Sequence, residues 1–250
     1  MFEPRLALAS LSGEADSEWA RAASDHAGAA FLGGIALDPR SRAAAAAMVA
    51  DRDREEFLPA DPIAFVDREL AALAEAPLRP AFNVRSTAVA PIRAAAAVCA
   101  RHDAILEINA HCRQPELCAA GCGETLLSDT DRLCRYVSAA ARTGAAVSVK
   151  ARAEVAGVAL PETAARIERA GADAIHVDAM DSEAVIADVA GATDLFVIAN
   201  NGVRGRETTR EYLAYGADAV SVGRASDRPD VLRAVREATA EWFGRPEARA

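Results

Sequence analysis

Eight short apolar runs alternate with alanine-rich amphipathic segments along 250 residues, and the sequence therefore predicts a single (β/α)8 TIM barrel of the α/β class. Three observations carry that expectation. The apolar runs are β-branched and nearly continuous, as parallel strands covered on both faces require. No linker is long enough to separate two domains, so residues 1–250 read as one domain with the barrel at about 5–243. Polar residues collect at the C-terminal ends of most runs, where a barrel places its chemistry.

In chain order, Arg5–Ser10 is the first strand and Asp16–Ala27 the first helix, with Asp16 or Ser17 as its N-cap. Ala29–Ile35 is the second strand. The stretch Arg40–Glu56 reads as an extra helix ahead of Asp61–Ala76, so the second crossover is the longest. Pro62 follows Asp61 directly, a good start for a helix. Pro80–Val84 and Ala104–Asn109 are strands three and four. Helix Asp129–Thr143 leads into strand Ala145–Lys150, and Pro161–Ala170 into Ala172–Asp178. Asp181–Ala190, Asp194–Ala199, Arg206–Tyr215, Asp218–Gly223 and Pro229–Phe243 complete the alternation.

The helix-to-strand junctions repeat. Residues 169–175 read Arg-Ala-Gly-Ala-Asp-Ala-Ile and residues 214–220 read Ala-Tyr-Gly-Ala-Asp-Ala-Val, with looser copies at Gly28 and Gly144. Each glycine is expected to end its helix in a left-handed conformation.

A net charge of −9 argues against a general nucleic-acid-binding surface. No apolar run approaches the ~18–20 residues that span a bilayer. Met1–Ser10 carries Glu3, Pro4 and Arg5 and lacks the plan of a secretory leader. Five cysteines are an odd number in a chain that needs no staples, so a cytoplasmic protein with reduced thiols is expected.

Lys150 is the sharpest single signal. It is the only lysine against 27 arginines, and it stands at a strand end after Val-Ser-Val. A retained lysine suggests a compact ammonium donor or an amine of adjustable pKa. Asn201-Gly202 after strand seven and Gly223-Arg224 after strand eight lie where barrels commonly hold phosphate. Cys112, beside His111, reads as a thiol acid, a nucleophile or a ligand. The spacing of His111, Cys112, Cys118 and Cys122 matches no zinc or iron–sulfur pattern, so no metal is assigned. Asp178 orients a substrate amide or acts as a base. His176 shares its face and reads as a satisfied core or supporting histidine. Cys99 and Cys134 fall on helical patterns and are expected in the core.

Taken in order, Asn109-Ala-His-Cys112, Gly121-Cys-Gly123-Glu-Thr-Leu-Leu127, Val149-Lys150-Ala-Arg152, Gly171-Ala-Asp, Ile198-Ala-Asn-Asn-Gly202 and Gly216-Ala-Asp-Ala-Val-Ser-Val-Gly-Arg224 resemble the FMN-binding barrel of the tRNA-dihydrouridine synthases. The His-Cys-Arg-Gln version is most similar to the short archaeal branch related to those enzymes. Dihydroorotate and dihydropyrimidine dehydrogenases share the broader pattern. Residues 104–224 carry the resemblance.

The resemblance implies an FMN-dependent oxidoreductase acting on the carbon–carbon double bond of a uracil-like ring, with NAD(P)H as reductant. Cys112 would handle the proton. Lys150 would sit against the flavin ring, and Asn201, Gly202, Gly223 and Arg224 would hold the phosphate. Ser10 and Asn83 would complete the cofactor contacts, Asn83 standing where the synthases usually have glutamine. His111, Arg152 and Asp178 would face the substrate, either tRNA or a small pyrimidine, and Asn109 the substrate or the flavin. Three departures stand out: His111-Cys112-Arg113 replaces Gly-Cys-Pro, Asp178 replaces a histidine, and the chain ends soon after the last barrel helix. No C-terminal helical tRNA-binding domain is therefore expected, and RNA binding would fall to a partner subunit or an oligomer. Two other readings stay open: a flavin-free, lysine-based aldolase or isomerase, and a non-catalytic barrel subunit.

Overall fold

The structure, a computed structural model, describes residues 1–51 and 55–244. Every predicted strand is present: β1 (Leu6–Leu8), β2 (Ala29–Ala36), β3 (Arg79–Arg85), β4 (Ile105–Asn109), β5 (Ala146–Arg152), β6 (Ala174–Asp178), β7 (Phe196–Asn200) and β8 (Ala219–Val222). All neighbours are parallel and follow sequence order, and β1 pairs with β8, so the sheet closes as a TIM barrel.

The helices depart from expectation in instructive places. The first is shorter, Ser17–Ala22, with Asp16 capping it by accepting from Trp19 N at 2.8 Å. The extra helix spans Pro39–Asp51; part of the predicted stretch, residues 52–54, lies outside the described residues, and 55–56 are not helical. Asp61 caps Pro62–Ala71 through bonds from Ile63 N and Ala64 N. Between β3 and β4 runs Val89–Arg101, which holds Cys99 in the core. Two short helices, Pro115–Ala120 and Thr125–Ser128, precede Thr130–Ala141, so the fourth crossover is also elaborated. The predicted Asp181–Ala190 begins late, at Val185, because Asp181 sits at φ 59° and cannot join a right-handed helix.

Gly144, Gly171 and Gly216 are left-handed as expected, at φ 86°, 102° and 94°. Gly28 is a correction. It is not left-handed; a Cβ there would fall 2.1 Å from Pro4 O, so close backbone approach is what demands glycine. The aspartates of the repeated Gly-Ala-Asp junction have their own task. Asp173 donates its N–H to Val147 O and accepts from Val147 N, each at 2.8 Å, and Asp218 does the same for Val197 at 2.9 Å. Each aspartate clips the start of the strand before it, its carboxylate supplying an acceptor to a backbone N–H there.

Inside the barrel, side chains alternate in and out with period two. Ala7, Phe31, Ala81, Ile105, Ile198 and Ala219 form an apolar plug toward the N-terminal end. The next inward positions are polar and buried: Asn83, Glu107, Ser148, His176 and Ser221. Phe31 and His176 meet at the boundary, their rings 5.0 Å apart. A large apolar cluster between strands and helices forms the main core.

Candidate active site

A cavity of about 650 Å³ opens at the C-terminal mouth, within the ~300–1,000 Å³ usual for small-molecule sites. Strand ends and the loops after β1, β4, β7 and β8 build it. Of the residues singled out in the sequence, it brings together Ser10, His111, Lys150, Asp178, Asn201, Gly202, Gly223 and Arg224. Asn200, the strand-end residue before Asn201, lines it too, as do Arg204, Arg228, Ser221 and Met180, which were not foreseen.

Lys150 is 2% exposed, and its ammonium has no hydrogen bond or ion pair within 4 Å among the described residues. Burial pushes its pKa below the ordinary lysine value, while the charges of Glu107 and Asp178 pull it back. Arg204 and Arg224 likewise have no ion pair among the described residues, whereas Arg228 pairs with Asp230 at 2.8 Å. Asn201 and Gly202 both take positive φ, 90° and 66°, and Asn201 Nδ2 donates to Asp178 Oδ1 at 2.8 Å. The cavity thus presents three cations, Lys150, Arg204 and Arg224, without an ion pair among the described residues. Such a site selects anions.

His111 Nδ1 is buried without a hydrogen-bond partner among the described residues. Burial, then Lys150, Arg85, His176 and Arg152, hold its pKa well below the usual histidine value, so the ring is neutral at pH 7.

Four predicted residues lie outside this cavity. Asn83 and Asn109 sit in the buried floor, where Asn109 Nδ2 donates to Asn83 Oδ1 at 2.9 Å and Asn109 Oδ1 accepts from Cys112 N at 3.1 Å. Arg152 is held 3.6 Å from Glu124. Cys112 is 8% exposed and packs with Met48, Leu117, Ala120 and Cys122. Cys118 Sγ donates to Cys112 O at 3.5 Å. Burial pushes Cys99 and Cys122 up to about 12, so both are neutral thiols. Among the described residues no group of three His, Cys, Asp or Glu is placed to hold a metal ion. Nor is any described helix long and apolar enough to cross a membrane.

The Cys112 loop depends on Gly123, which is at φ 63° and whose added Cβ would lie 2.0 Å from Cys112 O. Gly123→Ala is therefore expected to cost about 1–3 kcal/mol and to speed alkylation of Cys112. A urea midpoint and an alkylation rate equal to those of the parent chain would refute that account.

The floor was only partly anticipated. Glu107 accepts from Asn83 Nδ2 at 2.7 Å, from Ser148 Oγ at 3.3 Å and from His176 Nδ1 at 2.7 Å. His176 Nε2 meets Ser221 Oγ at 2.7 Å, so His176 is the satisfied interior histidine its position suggested.

The dihydrouridine synthase (Dus) family matches residues 72–247, well over half of the chain. The chain belongs to the dihydrouridine synthase family. The matched region runs from just before β3 through the last helix and includes most of the cavity's residues. An uncharacterized protein of Methanocaldococcus jannaschii is 26% identical over 236 residues, 89% of each chain. Among solved structures, the tryptophan synthase complex from Pyrococcus furiosus has a TM-score of 0.60 at 12% identity, covering 98% of this chain and 100% of that one. A FabK mutant from Thermotoga maritima has a TM-score of 0.56 at 15% identity. It covers 89% of this chain, which spans only 61% of the FabK chain. At these identities the likeness is one of fold.

Proposed function

We propose that this family member is an FMN-dependent oxidoreductase of the dihydrouridine synthase type, acting on the double bond of a uracil-like ring with NAD(P)H as reductant. The observation that carries the reading is the buried, unpaired ammonium of Lys150 in the same cavity as the unpaired Arg204 and Arg224. The donor set fits FMN. Gly202, Gly223, Arg204 and Arg224 would hold the phosphate, Ser10 and Asn201 the linking chain, and Lys150 the ring. When bound, FMN would supply hydride chemistry, for which no amino-acid side chain is suited.

The chain's own groups do the rest. Lys150 would place its positive charge against the bound ring, where it would favour negative charge. Asn83 and Asn109 fix the floor, and Asn109 also anchors the backbone of the Cys112 loop. Cys112, adjacent to the cavity-lining His111, is assigned the proton transfer. His111, Arg152 and Asp178 face the pyrimidine, free or within tRNA. With a net charge of −9, tRNA recognition is assigned to an oligomer or a partner subunit, in the cytoplasm.

The test is an absorbance titration of the purified chain with FMN. Binding near one flavin per chain is expected, weakened about tenfold or more by Arg204→Ala or Arg224→Ala, each of which removes a charge-assisted bond. No flavin binding at either high or low salt would remove the reading. The same unpaired, burial-depressed amine favours a second reading, a lysine-based aldolase or isomerase. Stoichiometric flavin counts against it.

A further inference from the structure

Three adjacent strands each place two polar residues on the inner face: Glu107 and Asn109 on β4, Ser148 and Lys150 on β5, His176 and Asp178 on β6. Lys150 is in register with Asn109 on one side and His176 on the other. Glu107 lies one inward position deeper, wholly buried. A free carboxylate at that depth would close onto the ammonium, since two buried opposite charges attract strongly. It does not, because both oxygens are taken: Oε1 by Asn83, Oε2 by Ser148 and His176.

We propose that Glu107, held off by Asn83, Ser148 and His176, is a fixed counter-charge that keeps Lys150 charged while leaving its N–H groups free for an anionic ligand. Glu107 and His176 are then positioning residues; neither lines the cavity. Ser221 completes the restraint by engaging His176 Nε2 and itself reaches the cavity wall. Glu107 is ionised, since the charge of Lys150 and the bonds from His176 and Asn83 outweigh the burial that would raise it, and burial keeps His176 neutral. The other groups facing Lys150 are Asp178 and the neutral His111. The ligand named here rests on the FMN reading; the counter-charge itself does not.

A single lysine makes the test clean. Reductive methylation with 13C-formaldehyde gives one lysine NMR signal, distinct from the N-terminal amine, in the ligand-free full chain. With Glu107→Gln that signal is expected to titrate at lower pH than in the parent. Ser148→Ala, which removes a bond but no charge, leaves it in place. His176→Leu leaves Oε2 with only the longer Ser148 bond at 3.3 Å, so the carboxylate turns toward Lys150, the signal titrates higher and FMN binds about tenfold more weakly; His176→Gln restores both. An unmoved signal in Glu107→Gln overturns the proposal. Should that variant not fold, an unmoved signal and unchanged FMN affinity in His176→Leu does so. If the parent chain binds no FMN, the functional reading fails and the lysine titration alone decides the counter-charge.

Discussion

Replacing Lys150 with methionine is expected to weaken FMN binding about a hundredfold or more while the chain stays folded. Methionine keeps the length and burial of the side chain and removes only the charge. The loss is large because the ammonium is buried and has no protein partner to satisfy, so its interaction with a ligand anion is little screened. Removing it also leaves Glu107 and Asp178 facing that anion without an intervening cation. Arginine is not expected to rescue, since a planar fork does not occupy the volume of a compact ammonium. The pH dependence has a definite sign. Burial lowers the amine's pKa, so parent affinity falls as pH rises, starting below the ordinary lysine range of ~10.4. In the ligand-free chain the unfolded amine binds its proton more tightly than the folded one, so this residue's contribution to stability increases with pH across the same window. Isothermal titration of parent and Lys150→Met with FMN across that range checks the affinity, and urea unfolding of the ligand-free chains checks the stability. Equal affinities, or a parent affinity flat to the lysine range, would rule out a charged Lys150 as the anchor.

The barrel was legible because its signals are local. Apolar runs, prolines at helix starts and the repeated Gly-Ala-Asp junction each act within about ten residues, and the eight strands followed from them. The wall residues at strand ends were legible for the same reason. The floor was less so, since the partners of Glu107 are 24, 41 and 69 residues away in sequence. One signal was nonetheless present. Glu107 and Asn109, Ser148 and Lys150, and His176 and Asp178 are spaced by two on consecutive strands, which puts all six on one face. Polar residues sharing an inner face must bond to one another or to a ligand. Arg85, two residues after Asn83 on β3, carries the same spacing, but its partners did not show: its pairing with Glu56 at 2.7 Å and Ser12 at 2.6 Å joins loops that no periodicity connects.

Asp38 is the clearest case of a long-range determinant, and its removal carries the largest expected loss of stability. It is 4% exposed and stands between β2 and the helix Pro39–Asp51. Its carboxylate accepts from Arg40 N, Ser41 N and Ser41 Oγ on that helix, and from Ser86 Oγ, Thr87 N and Thr87 Oγ1 after β3. One side chain therefore ties two strand ends and a helix start together at the barrel mouth. Burial alone would raise its pKa; the bonds from Ser41 and Thr87 overcome this and hold it at about 2. A carboxyl lowered in the folded state stabilises above its unfolded pKa of ~3.9, and the contribution fades as pH falls through about 2. That shift corresponds to about 2 kcal/mol. Asp38→Ala is expected to cost more, about 3 kcal/mol or above, because it also strands buried donors. Asp38→Asn should do little better, since its amide sets donors against donors. The helix anchored here packs Ala44, Ala45 and Met48 against Cys112, so the same variants should expose that thiol to alkylation. Urea unfolding at neutral pH and near pH 3 reads the stability: the parent loses stability on acidification more steeply than Asp38→Ala. Parallel acid slopes, or a variant midpoint equal to the parent's, would mean that the mouth is held together by other contacts.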